Sequence, residues 1–398
     1  ASLNNQIKEW EKDYVQYADS ILTATNKVSR LESTLMNRCK SVGDITSFMD
    51  VDYNDVKNSL GKNDVLIDFT DFVPDAGDRR YAAYIVNKKQ KYPLLKSLFS
   101  ESQIDSLGIV RPDMFYDTDF AYDVIRLLWD PIKEHITEGA TVYYVPSQML
   151  FQICLESLPL EDGTLLGDHY NFVRLSSARE LAKKQKFNMS QVSSAVLYGG
   201  LQYDLDPNVM AENAKLYDLS SLMVMRGGDI VRGDSIFRVL PDSKVEIERI
   251  SEILKQSKFE VTPYTGMNGT EESFLNMHGK SPQILHLATH GFYYTPTQAN
   301  EIDYLKGYSD AMSLSGLIMS GGNAAWRGKK LPEGTLDGVL TANNIACLDL
   351  SNTDMVVLSA CQSGQGNATV EGLYGLQRAF KKAGVGTIVM TLWSVSDK

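Results

Sequence analysis

Two residues in the C-terminal part of this sequence, His290 and Cys361, are of the types that carry out covalent acyl transfer. Cysteine attacks as the thiolate, which is scarce at neutral pH unless a base or a cation helps. Histidine titrates in the range needed to take that proton and later hand it to a leaving amine. A nucleophile held beside a base is the minimum equipment for the reaction. Each residue closes an apolar run of strand length and is followed by a glycine turn. The runs are Ile284-Leu285-His286-Leu287-Ala288-Thr289-His290-Gly291 and Met355-Val356-Val357-Leu358-Ser359-Ala360-Cys361-Gln362-Ser363-Gly364. Continuous apolar runs read as buried parallel strands. Chemistry in open parallel sheets gathers beyond the carboxyl ends of the strands. Two neighbouring strands ending here would bring imidazole and thiol to one rim. The N–H groups of Gly291 and Cys361 would converge on a developing oxyanion, and glycine at 291 lets the backbone approach the substrate closely.

The pieces HLATHG and LSACQSG, followed by EGLYGLQRAFKKAGVGTIVMTLWSVSD, resemble the CHAT family of caspase-like proteins, in the clan of caspases, metacaspases and separase. Further pieces fit in the same order: VYYVPSQMLFQICLESLP, SSARELAKKQ and DGVLTANNIACLDLSNTDMVVLSAC. The resemblance covers roughly residues 118 to 398. It implies a His290/Cys361 dyad cleaving a protein substrate, with no cofactor and no metal. Caspases carry a glutamine two places before the nucleophile and metacaspases an aspartate; Ser359 stands there in this chain, as a substrate-binding position. The tail Leu392-Trp393-Ser394-Val395-Ser396-Asp397 resembles a strand-end motif of separase in which an aspartate receives arginine. Asp397 would then hold a basic side chain by a charge-assisted contact; the alternative is an aspartate that caps a following helix.

The elements that must position these residues alternate between strand and helix patterns, which predicts parallel α/β topology. The expected fold is a caspase-like, mostly parallel sheet flanked by helices and preceded by an N-terminal helical and β region. Residues 1–115 would hold that region and 116–398 the CHAT-like domain. Apolar residues at helical spacing from Leu3 through Tyr17 to Leu35 predict a long helix over about 2–40. Asp64–Phe69 and Tyr81–Val86 read as paired strands, Phe120–Ile136 as a helix and Thr141–Val145 as a strand. Ala195–Gly200 reads as the first strand of the catalytic sheet, followed by a helix over Val245–Gln256 and a strand over Glu260–Tyr264. Thr270–Asn276 reads as a helix capped by Thr270, with Glu271 and Glu272 favourable in its first turn. Val370–Ala383 is a helix with Leu376 and Phe380 inward, stopped by Gly384, and Thr387–Trp393 is a last strand. His286 shares a strand face with His290 but lacks further metal-binding partners, and reads as a hydrogen-bonded support.

Two stretches, 202–234 and 294–330, read as polar, glycine-marked insertions. Ser315–Met319 is a strand candidate inside the second. They are tolerated surface loops, or a lid or self-cleavage region with basic points at Arg226, Arg232, Arg327 and Lys330. In relatives one helix and a further core strand follow the last strand seen here. A separate C-terminal subunit, or a segment left out, would supply them. A regulatory protein or an upstream repeat module would control activity.

Composition narrows the class. The 398 residues are 43% hydrophobic and 22% charged, ordinary values for a globular protein. A net charge of −11 argues against a nucleic-acid surface. No apolar run reaches the length of a membrane span. Four widely spaced cysteines, Cys39, Cys154, Cys347 and Cys361, suggest reduced thiols in a cytoplasmic protein, with Cys154 and Cys347 as packing residues. A non-catalytic scaffold that keeps the fold is the competing function. A nucleotide-binding domain would need a longer glycine-rich phosphate loop than Tyr198-Gly199-Gly200-Leu201.

Overall fold

A computed structural model describes residues 50–75, 77–182, 193–219, 222, 236–293, 314–360 and 370–391. The helix expected over 2–40 lies outside the described residues. The chain divides into two compact units, residues 44–186 and a second unit that contains 187–398.

The first unit carries strands β1 (Val65–Phe72), β2 (Arg80–Asn87), β3 (Leu94–Ser100), β4 (Thr141–Val145) and β5 (Asn171–Arg174), in the order β3-β2-β1-β4-β5. β1, β2 and β3 are antiparallel neighbours, and β4 and β5 continue the sheet in parallel from β1. The expected pair Asp64–Phe69 and Tyr81–Val86 is present with longer strands; β3 is additional. Residues 115 and 116 lie within this unit, in which β4 hydrogen-bonds directly to β1. Helix α1 (Tyr53–Ser59) starts at Asp52, whose carboxylate accepts the Asn54 and Asp55 N–H groups. Helix α2 (Thr118–Leu128) buries Ala121, Val124, Ile125 and Leu128, spaced as one helical face. The predicted helix to Ile136 stops early: Pro131 offers no N–H and disfavours helical geometry before it.

In the second unit the chain forms, in order, β6 (Ser194–Leu201), helix α3 (Pro207–Ala214), helix α4 (Pro241–Gln256) and β7 (Glu260–Gly266). Helix α5 (Glu271–Leu275), β8 (Ile284–Ala288), β9 (Gly291–Tyr293), β10 (Ser315–Ile318) and helix α6 (Gly322–Trp326) follow. The rest is β11 (Val339–Thr341), helix α7 (Ala342–Ala346), β12 (Met355–Ser359), helix α8 (Val370–Lys382) and β13 (Thr387–Met390). Five of these strands form one fully parallel sheet in the order β13-β12-β8-β6-β7. β9, β10 and β11 form a small antiparallel sheet.

Side-chain alternation sorts the two faces of the parallel sheet. Ala195, Leu197, Ile284 and Ala288 pack with Ile247 of α4. Tyr198, Leu285, Leu287, Val356 and Leu358 face the other way, with Phe274, Ile345, Leu376, Ala379 and Phe380. All five residues of β8 are buried, as expected for a strand covered on both sides. α4 comes so close to β6 that a Cβ on Gly199 would lie 2.5 Å from the Ser243 carbonyl oxygen. α4 begins at Pro241, four residues earlier than the sequence pattern indicated, with proline in its favoured first turn.

Further expectations are corrected. Residues 207–214, read as part of an irregular insertion, form α3, capped by Asp206. Residues 321–326, read as mobile from their glycines, are buried instead. Gly322 packs so tightly that a Cβ would meet the Gly338 carbonyl oxygen at 2.8 Å, so glycine marks close approach here. Glu271 and Glu272 also differ from expectation. Thr270 caps α5 as predicted, but both carboxylates are buried. Glu272 accepts the Leu336 N–H at 2.9 Å, and Glu271 accepts the Gly338 N–H at 3.2 Å and the Asn344 amide at 3.1 Å. A buried carboxylate is tolerated only with such donors, so these two tie the chain entering β11 to α5.

Phe380 is wholly buried and meets Phe274 edge-on at 6.4 Å between ring centroids. Phe380→Ala is expected to cost about 3–5 kcal/mol in denaturant unfolding; a loss below about 1 kcal/mol would contradict this packing.

Candidate active site

The site begins with strand register. β8 and β12 are parallel neighbours, pairing Met355 with Ile284, Val357 with His286 and Ser359 with Ala288. His290 lies two positions beyond Ala288, and Ala360 directly follows Ser359. Cys361 itself lies outside the described residues, as does Asp397.

After Ala288 the chain leaves the parallel sheet and enters the small antiparallel one. Thr289 and His290 make the turn, and both are buried. The Thr289 hydroxyl donates to the Ile318 carbonyl, and so it accepts from the Tyr203 hydroxyl at 2.9 Å. The Ile318 N–H donates to the His290 carbonyl at 2.8 Å. Gly291 opens β9 opposite Leu317 and is buried. The ring of His290 packs against Tyr203 and Phe237, at centroid distances of 4.8 and 5.3 Å.

The imidazole of His290 makes a 2.7 Å hydrogen bond from Nε2 to the main-chain carbonyl of Arg238. A carbonyl oxygen only accepts, so Nε2 carries the hydrogen. In the neutral ring Nδ1 then holds the lone pair and is the atom able to take a proton. One group that orients the His290 ring is therefore a main-chain carbonyl, which side-chain types in the sequence do not reveal.

Behind the turn lies a second polar group. His286 Nε2 meets Glu246 Oε1 at 2.8 Å, and the Ser359 hydroxyl donates to Glu246 Oε2 at 3.1 Å. Glu246 comes from α4 and bridges β8 and β12 just before their carboxyl ends. His286 thus has the hydrogen-bonded supporting place expected of it. Ser359 faces Glu246, a partner not foreseen. Burial pushes the Glu246 carboxyl up, but the hydrogen bond and charge of His286 and the bond from Ser359 outweigh it. The net result is a carboxyl held below its ordinary range. The signal was present in the sequence: α4 buries Ser243, Ile247 and Ser251, and Glu246 adjoins that face, where an acid needs a partner.

Cys154 and Cys347 are the cysteines among the described residues. Cys154, in the first unit, accepts a hydrogen bond from Ser157 at 3.3 Å, and burial pushes its thiol up, away from the thiolate. Neither Cys154 nor Cys347 is in a disulfide. Among the described residues no group of three His, Cys, Asp or Glu side chains is arranged to hold a metal ion, and no helix is long and apolar enough to cross a membrane.

A parallel sheet of order β13-β12-β8-β6-β7 flanked by helices is the α/β architecture of the caspase-like class. Residues 119–398 match the CHAT domain, and with more than half its length matched the chain belongs to the CHAT-domain family. That family is caspase-like and protease-related. The match starts in α2, so it takes in β4 and β5 of the first unit as well as residues 187–398 of the second. No curated protein matches the chain.

The Glu246 geometry makes a pH prediction. A carboxyl whose folded value is depressed favours the folded state above the unfolded value, and that contribution is lost as pH falls through the folded value. The stability gap between the wild type and Glu246→Gln should be widest at neutral pH and close on acidification towards about pH 3. Urea unfolding at both pH values measures it; a gap independent of pH would contradict the assignment.

Proposed function

We propose that this chain is a cysteine endopeptidase in which Cys361 is the nucleophile and His290 the general base and acid. The observation that supports the reading best is the pairing of Ala288 with Ser359. It starts both terminal segments, 289–290 and 360–361, from the same height on adjacent strands. Membership of a caspase-like family supports it further.

In this mechanism His290 Nδ1 takes the thiol proton of Cys361 while Nε2–H stays on the Arg238 carbonyl. The thiolate attacks the scissile carbonyl carbon, and the N–H groups of Gly291 and Cys361 receive the oxyanion. His290 returns the proton to the leaving amine, giving a thioester acyl-enzyme. Nδ1 then takes a proton from water, which attacks the thioester. Collapse releases the acid and restores the thiol. No cofactor enters any step.

The substrate is a protein cut after a basic residue, held by Asp397 with Ser359 nearby in the chain from the nucleophile. Control by a partner protein, an upstream repeat module, a separate C-terminal subunit or self-cleavage belongs to the same reading, as does a cytoplasmic location. Of the basic points considered for self-cleavage, Arg327 is ion-paired with Asp204 at 2.8 Å, whereas Lys330 is exposed. Lys330 is therefore the better site in this segment. Arg226 and Arg232 lie outside the described residues.

An irreversible thiol-directed peptide probe with arginine at the cleavage position should label the wild type and not Cys361→Ala. His290→Ala should slow turnover by about 10²–10⁴-fold. Absence of labelling in every state would favour a non-catalytic scaffold. In a peptide panel, a preference for acidic or apolar residues at the cleavage position would remove Asp397 from its role.

A further inference from the structure

Asn323, in the first turn of α6, has no exposed surface. Its side-chain amide closes a two-bond ring on the main chain of Phe237. The Phe237 N–H donates to Oδ1 at 2.9 Å, and Nδ2 donates to the Phe237 carbonyl at 2.9 Å. Asn323's own N–H donates to the Tyr203 carbonyl at 3.1 Å, which fixes the clamp itself. The next carbonyl along the chain, that of Arg238, is the acceptor for His290 Nε2. A planar neutral amide is the side chain that offers one donor and one acceptor in this geometry. An aspartate lacks the donor and a serine lacks the reach.

The same segment holds His290 from a second direction. Ile318, four residues before α6 begins, donates its N–H to the His290 carbonyl and accepts from the Thr289 hydroxyl. Residues 318–323 therefore grip both the main chain of the imidazole and the carbonyl that orients its ring. What read as an insertion in the sequence is packed into the back of the site.

We propose that Asn323 is a positioning residue for His290: by clamping Phe237 it fixes the Arg238 carbonyl, and so fixes which ring nitrogen carries the hydrogen. The inference rests on His290 being the base. Without the clamp the carbonyl is no longer held opposite Nε2. The ring then populates the tautomer with hydrogen on Nδ1, which cannot accept the proton of the thiol.

The test uses the full chain and two readouts that do not need the natural substrate. One is the rate at which iodoacetamide alkylates Cys361 as a function of pH, followed by mass spectrometry of the peptide that contains it. The other is the ¹⁵N spectrum of histidine-labelled protein, which distinguishes the two tautomers. In the wild type, alkylation should persist well below the ordinary thiol range near about pH 8.5, with His290 in the Nε2–H form. His290→Ala should move the reaction back to that range. Asn323→Ser and Asn323→Asp, where melting is close to wild type, should slow alkylation at about pH 6.5 by about ten- to a hundredfold and mix the tautomers. A folded Asn323→Ser with the wild-type pH profile and a single Nε2–H tautomer overturns the positioning role and leaves the dyad standing. An unchanged profile in His290→Ala overturns the dyad, and the inference with it. If neither Asn323 variant folds, the wild-type spectrum decides: an Nδ1–H tautomer for His290 contradicts the proposal, and Nε2–H supports it.

Discussion

The rest of the second unit depends on the parallel pairing of β8 with β12. Parallel strands hydrogen-bond with even spacing, and a slip of one residue turns every side chain to the other face. The register Ser359 with Ala288 is held by burial on both sides. Leu285, Leu287, Val356 and Leu358 go to one core, and Ile284, Ala288 and Met355 to the other. A shift by one position would exchange these sets and expose the mismatch to two packed layers. Because the register is fixed this firmly, the segments that follow Ala288 and Ser359 leave the sheet at a defined relative height.

Polar groups, half-buried at Glu246 and buried at Glu271 and Glu272, refine what the apolar register starts. Glu246 joins His286 on β8 to Ser359 on β12, and Glu271 and Glu272 fasten the approach to β11. Burying charge costs several kcal/mol unless hydrogen bonds offset it, so such groups add little net stability. Their effect is to reject alternatives: any arrangement that moved β12 along β8 would leave the Glu246 carboxylate without its donors. The imidazole of His290 follows the same logic, with its Nε2–H committed to one carbonyl and its ring packed against Tyr203 and Phe237.

The sequence revealed the parts of this arrangement that arise from local pattern. β6, β8 and β12 are apolar runs, and α8 ends where expected, at Gly384 with a φ of +99°. Thr270 caps its helix as its type predicts. The parts that arise from tertiary contact were not legible. β9 and β11 are three residues each, too short for any periodicity. Gly321-Gly322-Asn323 has turn composition, yet the close approach of Gly338 and the clamp on Phe237 bury it. The Arg238 carbonyl is a main-chain atom, and its role leaves no trace in side-chain type. The pairing of β4 with β1 across some 70 intervening residues cannot be read from either strand alone.

The proposed dyad requires above all that folding deliver the sulfur of Cys361 to Nδ1 of His290. A crystal structure of the chain treated with a peptide aldehyde measures this directly. The account predicts a covalent bond from Cys361 Sγ to the aldehyde carbon, with Nδ1 of His290 within about 4 Å of the sulfur and Nε2 still on the Arg238 carbonyl. A thiol left unreacted and buried away from His290, or a ring turned so that Nδ1 faces Arg238, would contradict it.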